Sequence, residues 1–215
     1  MIVWLASYPR SGNSFMGRAL NSAGFDMLSF YNDGMIDETT VNRKVEVIDF
    51  PIFDNDDTTY FCKTHNVQSD SRLSVYLLRD GRDALVSYAH YAIDFQGETF
   101  SFEDMLRRLI MGDTYQYPNW SFHVMAYLVR DKKTLVIKYE DMVENITAQV
   151  QRVSQFLGLA IPENVQVDFD KLHADNPKFY RRGIAGNWRD EMSEELQGLF
   201  WSNHSKAMQI AGYRE

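Results

Sequence analysis

The chain is 215 residues long, 45% hydrophobic and 24% charged, which excludes a disordered or fibrous protein and predicts a single folded domain over residues 1–215. Its net charge of −8 excludes a coat for nucleic acid or anionic membrane, since such surfaces bind through released counterions and need basic residues. One cysteine, Cys62, leaves no intrachain disulfide and no cysteine-rich zinc site, and no apolar run reaches the roughly 18 residues of a membrane span.

The first element is a strand, Ile2-Val3-Trp4-Leu5-Ala6, without the basic lead and long apolar core of a signal peptide, so a cytoplasmic location is the expectation. A polar turn then leads into a helix from about Ser14 to Ala23. Residues 24–59 show no regular period, and Asp54 to Asp57 read as an exposed loop. Strands follow near Tyr60 to Lys63 and from Leu73 to Leu78, the latter stopped by Arg79-Asp80-Gly81. Asp83 to Phe95 reads as a helix opened by an acidic residue. Residues 96–119 mix helix with loops. Leu135-Val136-Ile137 is a further strand, followed by Tyr139-Glu140-Asp141 and a helix carrying Val150, Val153, Phe156 and Leu157. A last helix covers Glu191 to Ala211. Strands alternating with helices predict an α/β fold with a mainly parallel central sheet flanked by helices.

Three motifs carry chemistry. Tyr8-Pro9-Arg10-Ser11-Gly12-Asn13-Ser14-Phe15 is a strand-to-helix turn, in which successive backbone N–H groups and a helix N-terminus make an anion cradle with Arg10 at its rim. An ordinary turn with a surface arginine is the plain alternative, and the nucleotide-triphosphatase spacing is missing. In Leu77 to Tyr88, Arg79 leaves a strand end and Ser87 follows inside the next helix, so a guanidinium and a hydroxyl can reach one phosphate. The alternative is a capped helix whose Arg79 and Arg82 pair with Asp80 and Asp83 on the surface. Arg181-Arg182-Gly183-Ile184-Ala185-Gly186-Asn187-Trp188-Arg189 is a basic, glycine-bearing loop able to fold over an anion, with a solvated charge run as the alternative.

In this order the motifs resemble the cytosolic sulfotransferase family, which moves a sulfuryl group from 3′-phosphoadenosine 5′-phosphosulfate (PAPS) to an acceptor. The family patterns Tyr-Pro-Lys-Ser-Gly-Thr-Thr-Trp, Arg with Ser eight positions on, and Arg-Lys-Gly-x-x-Gly-Asp-Trp-Lys are matched by Tyr8 to Phe15, by Arg79 and Ser87, and by Arg181 to Arg189. Lys63-Thr64-His65 and Tyr139 to Met142 match two further family stretches, and Trp120 with His123 a weaker one. The resemblance runs from residue 3 to about residue 213 and implies a P-loop-like sulfotransferase fold. It implies that Arg10, Ser11, Gly12, Asn13, Ser14 and Phe15 hold the 5′-phosphosulfate, with Phe15 stacking on adenine and Tyr139 near it. Arg79, Ser87, Arg181, Arg182 and Gly183 would hold the 3′-phosphate. His65 would be the general base, with Arg10 and Lys63 meeting charge on the leaving oxygen and no metal required.

Arg10 stands where the family usually has Lys, which keeps the charge but is unsuited to donating a proton. Asn13, Phe15 and Asn187 replace Thr, Trp and Asp, and together these mark a divergent, short member. The family's dimerisation motif is not recognisable, so the oligomeric state is left open. For a small-molecule acceptor, with no nucleic acid or membrane partner, Tyr91, Phe95, Trp120 and His123 are candidate lining residues, along with Phe30, Tyr31, Tyr115, Tyr117 and Phe122. Such a pocket suits a phenol or alcohol. A nucleotide-dependent kinase and a non-catalytic protein binding adenosine 3′,5′-bisphosphate (PAP) are the competing readings.

Overall fold

The computed structural model describes residues 1–29, 58–113, 117–130 and 133–215. These form two compact units, the first made of Met1–Ser7, Gly12–Leu78 and Arg130–Val167, and the second of Tyr8–Ser11, Arg79–Val129 and Asp168–Glu215. The expected exposed loop at Asp54 to Asp57 lies outside the described residues.

The first unit is built on a parallel sheet of β1 (Ile2–Ser7), β2 (Asp26–Ser29), β3 (Tyr60–Thr64), β4 (Ser74–Leu78) and β5 (Thr134–Lys138), in the order β2-β3-β1-β4-β5. All six residues of β1 are buried, as a central parallel strand covered on both faces requires, and this is why its sequence is an unbroken apolar run. Leu5 pairs Lys63 on one side and Val75 on the other. The Trp4 indole N–H donates to the Asp70 carboxylate at 2.9 Å, tying the β3–β4 connection to the central strand. The unpredicted strand is β2, at the sheet's edge within the stretch that shows no period. Helices α1 (Asn13–Ser22), α5 (Tyr139–Glu144) and α6 (Ile146–Leu157) belong to this unit and pack on the strands or on one another. Val150 and Val153 of α6 are buried as their spacing predicts.

The second unit is helical among its described residues: α2 (Gly81–Phe95), α3 (Phe102–Met111), α4 (Trp120–Leu128), α7 (Phe169–Asp175), the single turn α8 (Trp188–Glu191) and α9 (Glu194–Ile210). Helix α2 begins at Gly81, two residues earlier than its acidic opening suggests, because the Asp80 side chain accepts the Arg82 amide and serves as the cap. Helix α9 packs on α2, α3 and α4, and Trp120 of α4 lies fully buried against Phe200 of α9, ring centroids 6.2 Å apart.

Strands β1 and β4 are neighbours at the middle of the sheet, where the connections turn to opposite sides. Ligands of open parallel sheets bind beyond the carboxyl ends of such a pair. Those ends, Ser7 and Leu78, lead directly into Tyr8 and Arg79.

Candidate active site

Tyr8-Pro9-Arg10-Ser11 closes as a turn, the Ser11 amide donating to the Tyr8 carbonyl at 3.3 Å. Arg10 has φ 65, the left-handed conformation that the third position of a type II turn demands and that glycine normally fills. An arginine there costs about 1–2 kcal/mol, a strain typical of functional sites. It aims the guanidinium at α2: Nε donates to Ser87 Oγ at 3.2 Å, and Nη2 donates to the Phe179 carbonyl. The guanidinium faces the rings of Phe179 and Tyr91 at 4.4 and 5.0 Å. Arg79, itself buried, donates from Nη1 to the Arg10 carbonyl at 3.0 Å and from Nη2 to the Ile184 carbonyl at 3.4 Å. Arg10, Arg79 and Ser87, separated by up to 77 residues, are thus brought together. Beside them the Ser11 hydroxyl is buried, at 1% exposure, without a hydrogen-bond partner.

In the first unit, α1 starts at Gly12 with no side-chain cap, whereas every other described helix of eight or more residues has one. An uncapped N-terminus offers amides and positive potential to an anion. Gly12 has φ 92, and a Cβ there would lie 2.6 Å from Met142 and 2.7 Å from Tyr139, so the turn closes directly on the Tyr139 ring. Lys63, fully buried on β3, donates from Nζ to Ser14 Oγ at 3.3 Å. Asn13 is buried and spends its amide on the framework: Nδ2 donates to the Leu5 carbonyl at 3.0 Å and Ser7 Oγ at 3.1 Å. Its Oδ1 is buried without a hydrogen-bond partner.

His65 Nδ1 is 2.8 Å from the Ser7 carbonyl, with Ser7 Oγ at 3.3 Å. A carbonyl can only accept, so in the neutral ring Nδ1 carries the proton and Nε2 is the basic nitrogen.

The basic loop is not a solvated charge run. Arg181 Nη2 donates to both carboxylate oxygens of Glu191 at 2.7 and 2.8 Å, and His90 Nε2 is 2.6 Å from the same group. Burial raises the Glu191 pKa, but the bonds from Arg181 and His90 outweigh it and hold the carboxyl below its ordinary value. Arg182 bonds Asn187 Oδ1 at 3.1 Å and lies 3.6 Å from Asp190. Gly183 has φ 65, and a Cβ there would stand 2.2 Å from the Phe169 ring. The surface pairing expected for Arg79 and Arg82 is found only in part. Arg82 does bond Asp80, at 3.0 and 2.8 Å, but the pair is buried, and Arg79 donates to two carbonyls while its charge also acts on Asp83.

A family model described as a sulfotransferase domain matches residues 2–210. The chain belongs to the sulfotransferase family. It is therefore a sulfotransferase enzyme, dependent on PAPS as sulfuryl donor. Dog sulfotransferase 1A1 (Canis lupus familiaris) is 22% identical, over 97% of this chain and 83% of its own length. Mouse sulfotransferase SULT7A1, solved in complex with PAP, shares the fold at TM-score 0.72 with 18% identity, over 98% of this chain and 84% of its own. Retinol dehydratase, solved with androsterone and inactive cofactor PAP, does so at TM-score 0.72 with 21% identity, over 100% of this chain and 82% of its own.

In this sulfotransferase the proposed acceptor residues separate. Tyr91 and Phe95 stack at 5.2 Å, each edge-on to Phe179, and Phe95 is 44% exposed. Trp120 lies in the core against Phe200 and His204. His123 is fully buried, its ring 5.7 Å from Tyr8 and 5.4 Å from Tyr127. Phe122 points outward at 61% exposure, and Tyr117 is half-buried. Phe30, Tyr31 and Tyr115 lie outside the described residues. Sequence reasoning passed over Phe179, which takes Arg10 on both its carbonyl and its ring. Its place two residues before Arg181 was the available signal. Among the described residues no helix is long and apolar enough to cross a membrane.

Proposed function

We propose that the sulfotransferase passes the sulfuryl group to a hydroxyl of a small aromatic or alcohol acceptor by in-line displacement, working as one domain over 1–215 in the cytoplasm. The family model spanning both units supports the single domain, and the lone thiol, buried at Cys62, suits a reducing compartment. The observation that carries the site assignment is the orphaned, buried Ser11 hydroxyl, adjacent in sequence to the uncapped start of α1. Buried polar groups are nearly always paired, so the Ser11 hydroxyl calls for an acceptor such as an anionic oxygen, and an uncapped helix start suits an anion as well.

Ser11, Gly12, Asn13 and Ser14 would take the 5′-phosphosulfate, Asn13 through its backbone. Phe15 and Tyr139 would take the adenine, and Arg79, Ser87, Arg181, Arg182 and Gly183 the 3′-phosphate. The bound donor supplies the sulfuryl group and the leaving phosphate. His65 Nε2 accepts the acceptor's proton as the acceptor oxygen bonds to sulfur and the old sulfur–oxygen bond breaks. Arg10 and Lys63 would meet the charge left on the departing oxygen, so the proposal requires no metal. Tyr91 and Phe95 offer stacked rings to an apolar acceptor, whereas Trp120 and His123 would act by shaping the core beneath it. A related fold accommodating androsterone, a steroid alcohol, supports that acceptor class.

The test is turnover of labelled donor with phenols and alcohols in the presence of a chelator. His65→Ala should lower kcat by about 10²–10⁴-fold while PAP affinity stays within twofold. Unchanged turnover removes His65 from the mechanism, and stabilisation by Mg-ATP alone, with none by PAP, overturns the donor assignment.

A further inference from the structure

We propose that Asp83 is the positioning residue of the 3′-phosphate site: its carboxylate clamps the basic loop to the first turn of α2 and so aims Arg181, Arg182 and Gly183 at the phosphate shared with Arg79 and Ser87. The inference rests on the donor reading above and adds to it a residue that touches no ligand. Asp83 is 2% exposed, and each of its carboxylate oxygens takes one loop amide: Oδ2 accepts from Gly186 N–H at 2.6 Å, Oδ1 from Trp188 N–H at 3.0 Å. Charge-assisted bonds of this kind are the strong ones, and their geometry fixes two alternate residues of the loop at once.

Asp83 is not needed to begin α2, since Asp80 already caps it. Burial raises the Asp83 pKa against the opposing pull of the Arg79 guanidinium, so the fold accepts a costly buried carboxylate at this place. Two neighbours reinforce the clamp. The Trp188 ring lies 3.9 Å from the Arg82 guanidinium, which Asp80 holds, and Arg79 donates to the Ile184 carbonyl. Residues 184, 186 and 188 are therefore tied to 79, 83 and 82 respectively. Packing holds the loop mainly at its end, through buried Asn187 and Trp188, and at Gly183 against Phe169, whereas residues 181–186 are otherwise exposed or half-buried. Over residues 184–188 the backbone is held by hydrogen bonds, and the Asp83 carboxylate supplies two of them.

The test uses the full chain as Asp83→Asn and Asp83→Glu. An amide can accept one of the two N–H groups but presents its own N–H to the other. Asp83→Asn should therefore raise the Kd for PAP and the KM for PAPS on the order of tenfold, with kcat at saturating donor within twofold. Trypsin should cut after Arg181 and Arg182 severalfold faster in that variant. Asp83→Glu, which keeps the charge one methylene out of place, should fall between. Unchanged PAP affinity in a folded Asp83→Asn protein overturns the proposal. Should neither variant fold, hydrogen exchange on the wild type decides: slow exchange of the Gly186 and Trp188 amides supports the clamp, and fast exchange of both overturns it. Failure of the wild type to bind PAP would sink the donor reading separately, leaving the exchange result to judge the clamp.

Discussion

The turn at residues 8–14 and the basic loop at 181–189 both carry arginines proposed to meet the donor's anionic groups, yet they are built in different ways. Arg10 in the turn donates to two neutral oxygens, the Ser87 hydroxyl and the Phe179 carbonyl, which direct the guanidinium. Arg181 in the loop is held bidentately by Glu191, and Arg182 lies near Asp190. A phosphate reaching the turn meets an orphaned hydroxyl, whereas one reaching the loop competes with a carboxylate. An arginine in a motif is therefore not by itself an available charge, because its acceptors decide how much field remains.

The largest effect is expected from the proposed 3′-phosphate ligands, which lie between the two regions in sequence. Arg79→Ala with Ser87→Ala should weaken PAP by about 10²–10⁴-fold in calorimetry, since each charge-assisted bond is worth about 1.5–3 kcal/mol. Equal affinity would show the 3′-phosphate assignment to be wrong. Ser11→Ala sharpens the turn's side: it deletes a hydroxyl with no native partner, so Tm should hold or rise while PAP binding weakens about tenfold. A drop in Tm with unchanged binding would make Ser11 a framework residue. On the loop's side, Glu191→Gln should tighten PAP about threefold at low salt by relieving Arg181 of its competitor. Weaker binding would mean that Glu191 aims Arg181 and does not compete for it.

The smallest effect is on acid stability. Because the Glu191 pKa is lowered in the fold, its contribution is present above the ordinary value of 4.5 and is lost as pH falls through the lowered one. The urea midpoint of Glu191→Gln should therefore decline less between pH 6 and 3 than that of the wild type.

Much of the fold is legible in the chain. β1, β3, β4 and β5 announce themselves as apolar runs because parallel strands are covered on both faces. β2 hides because Asp26 and Ser29 leave only Met27 and Leu28 as signal. The helix α4 hides for the opposite reason: from Trp120 to Leu128 it is apolar almost all round and shows no period, and Asn119, whose side chain accepts the Phe122 amide, was the one cue. The site divides in the same way. The donor motifs are legible because an anion needs cations, hydroxyls and glycines at a strand end. Trp120 and His123 were not separable from Tyr91 and Phe95, since an aromatic in the core and one in a pocket are the same residue until packing is known.

The sequence by itself determined the family, the parallel α/β plan and the inventory of groups for an anionic donor, because those depend on local period, turn chemistry and motif order. Tertiary structure alone decided that Nε2 of His65 is the basic nitrogen, that Arg10 turns to Ser87 and Phe179, and that Asp83 grips amides 103 and 105 residues away. The reason is physical: a hydrogen bond between distant segments depends on where the fold delivers each backbone to within about 3 Å, and no local pattern encodes that distance.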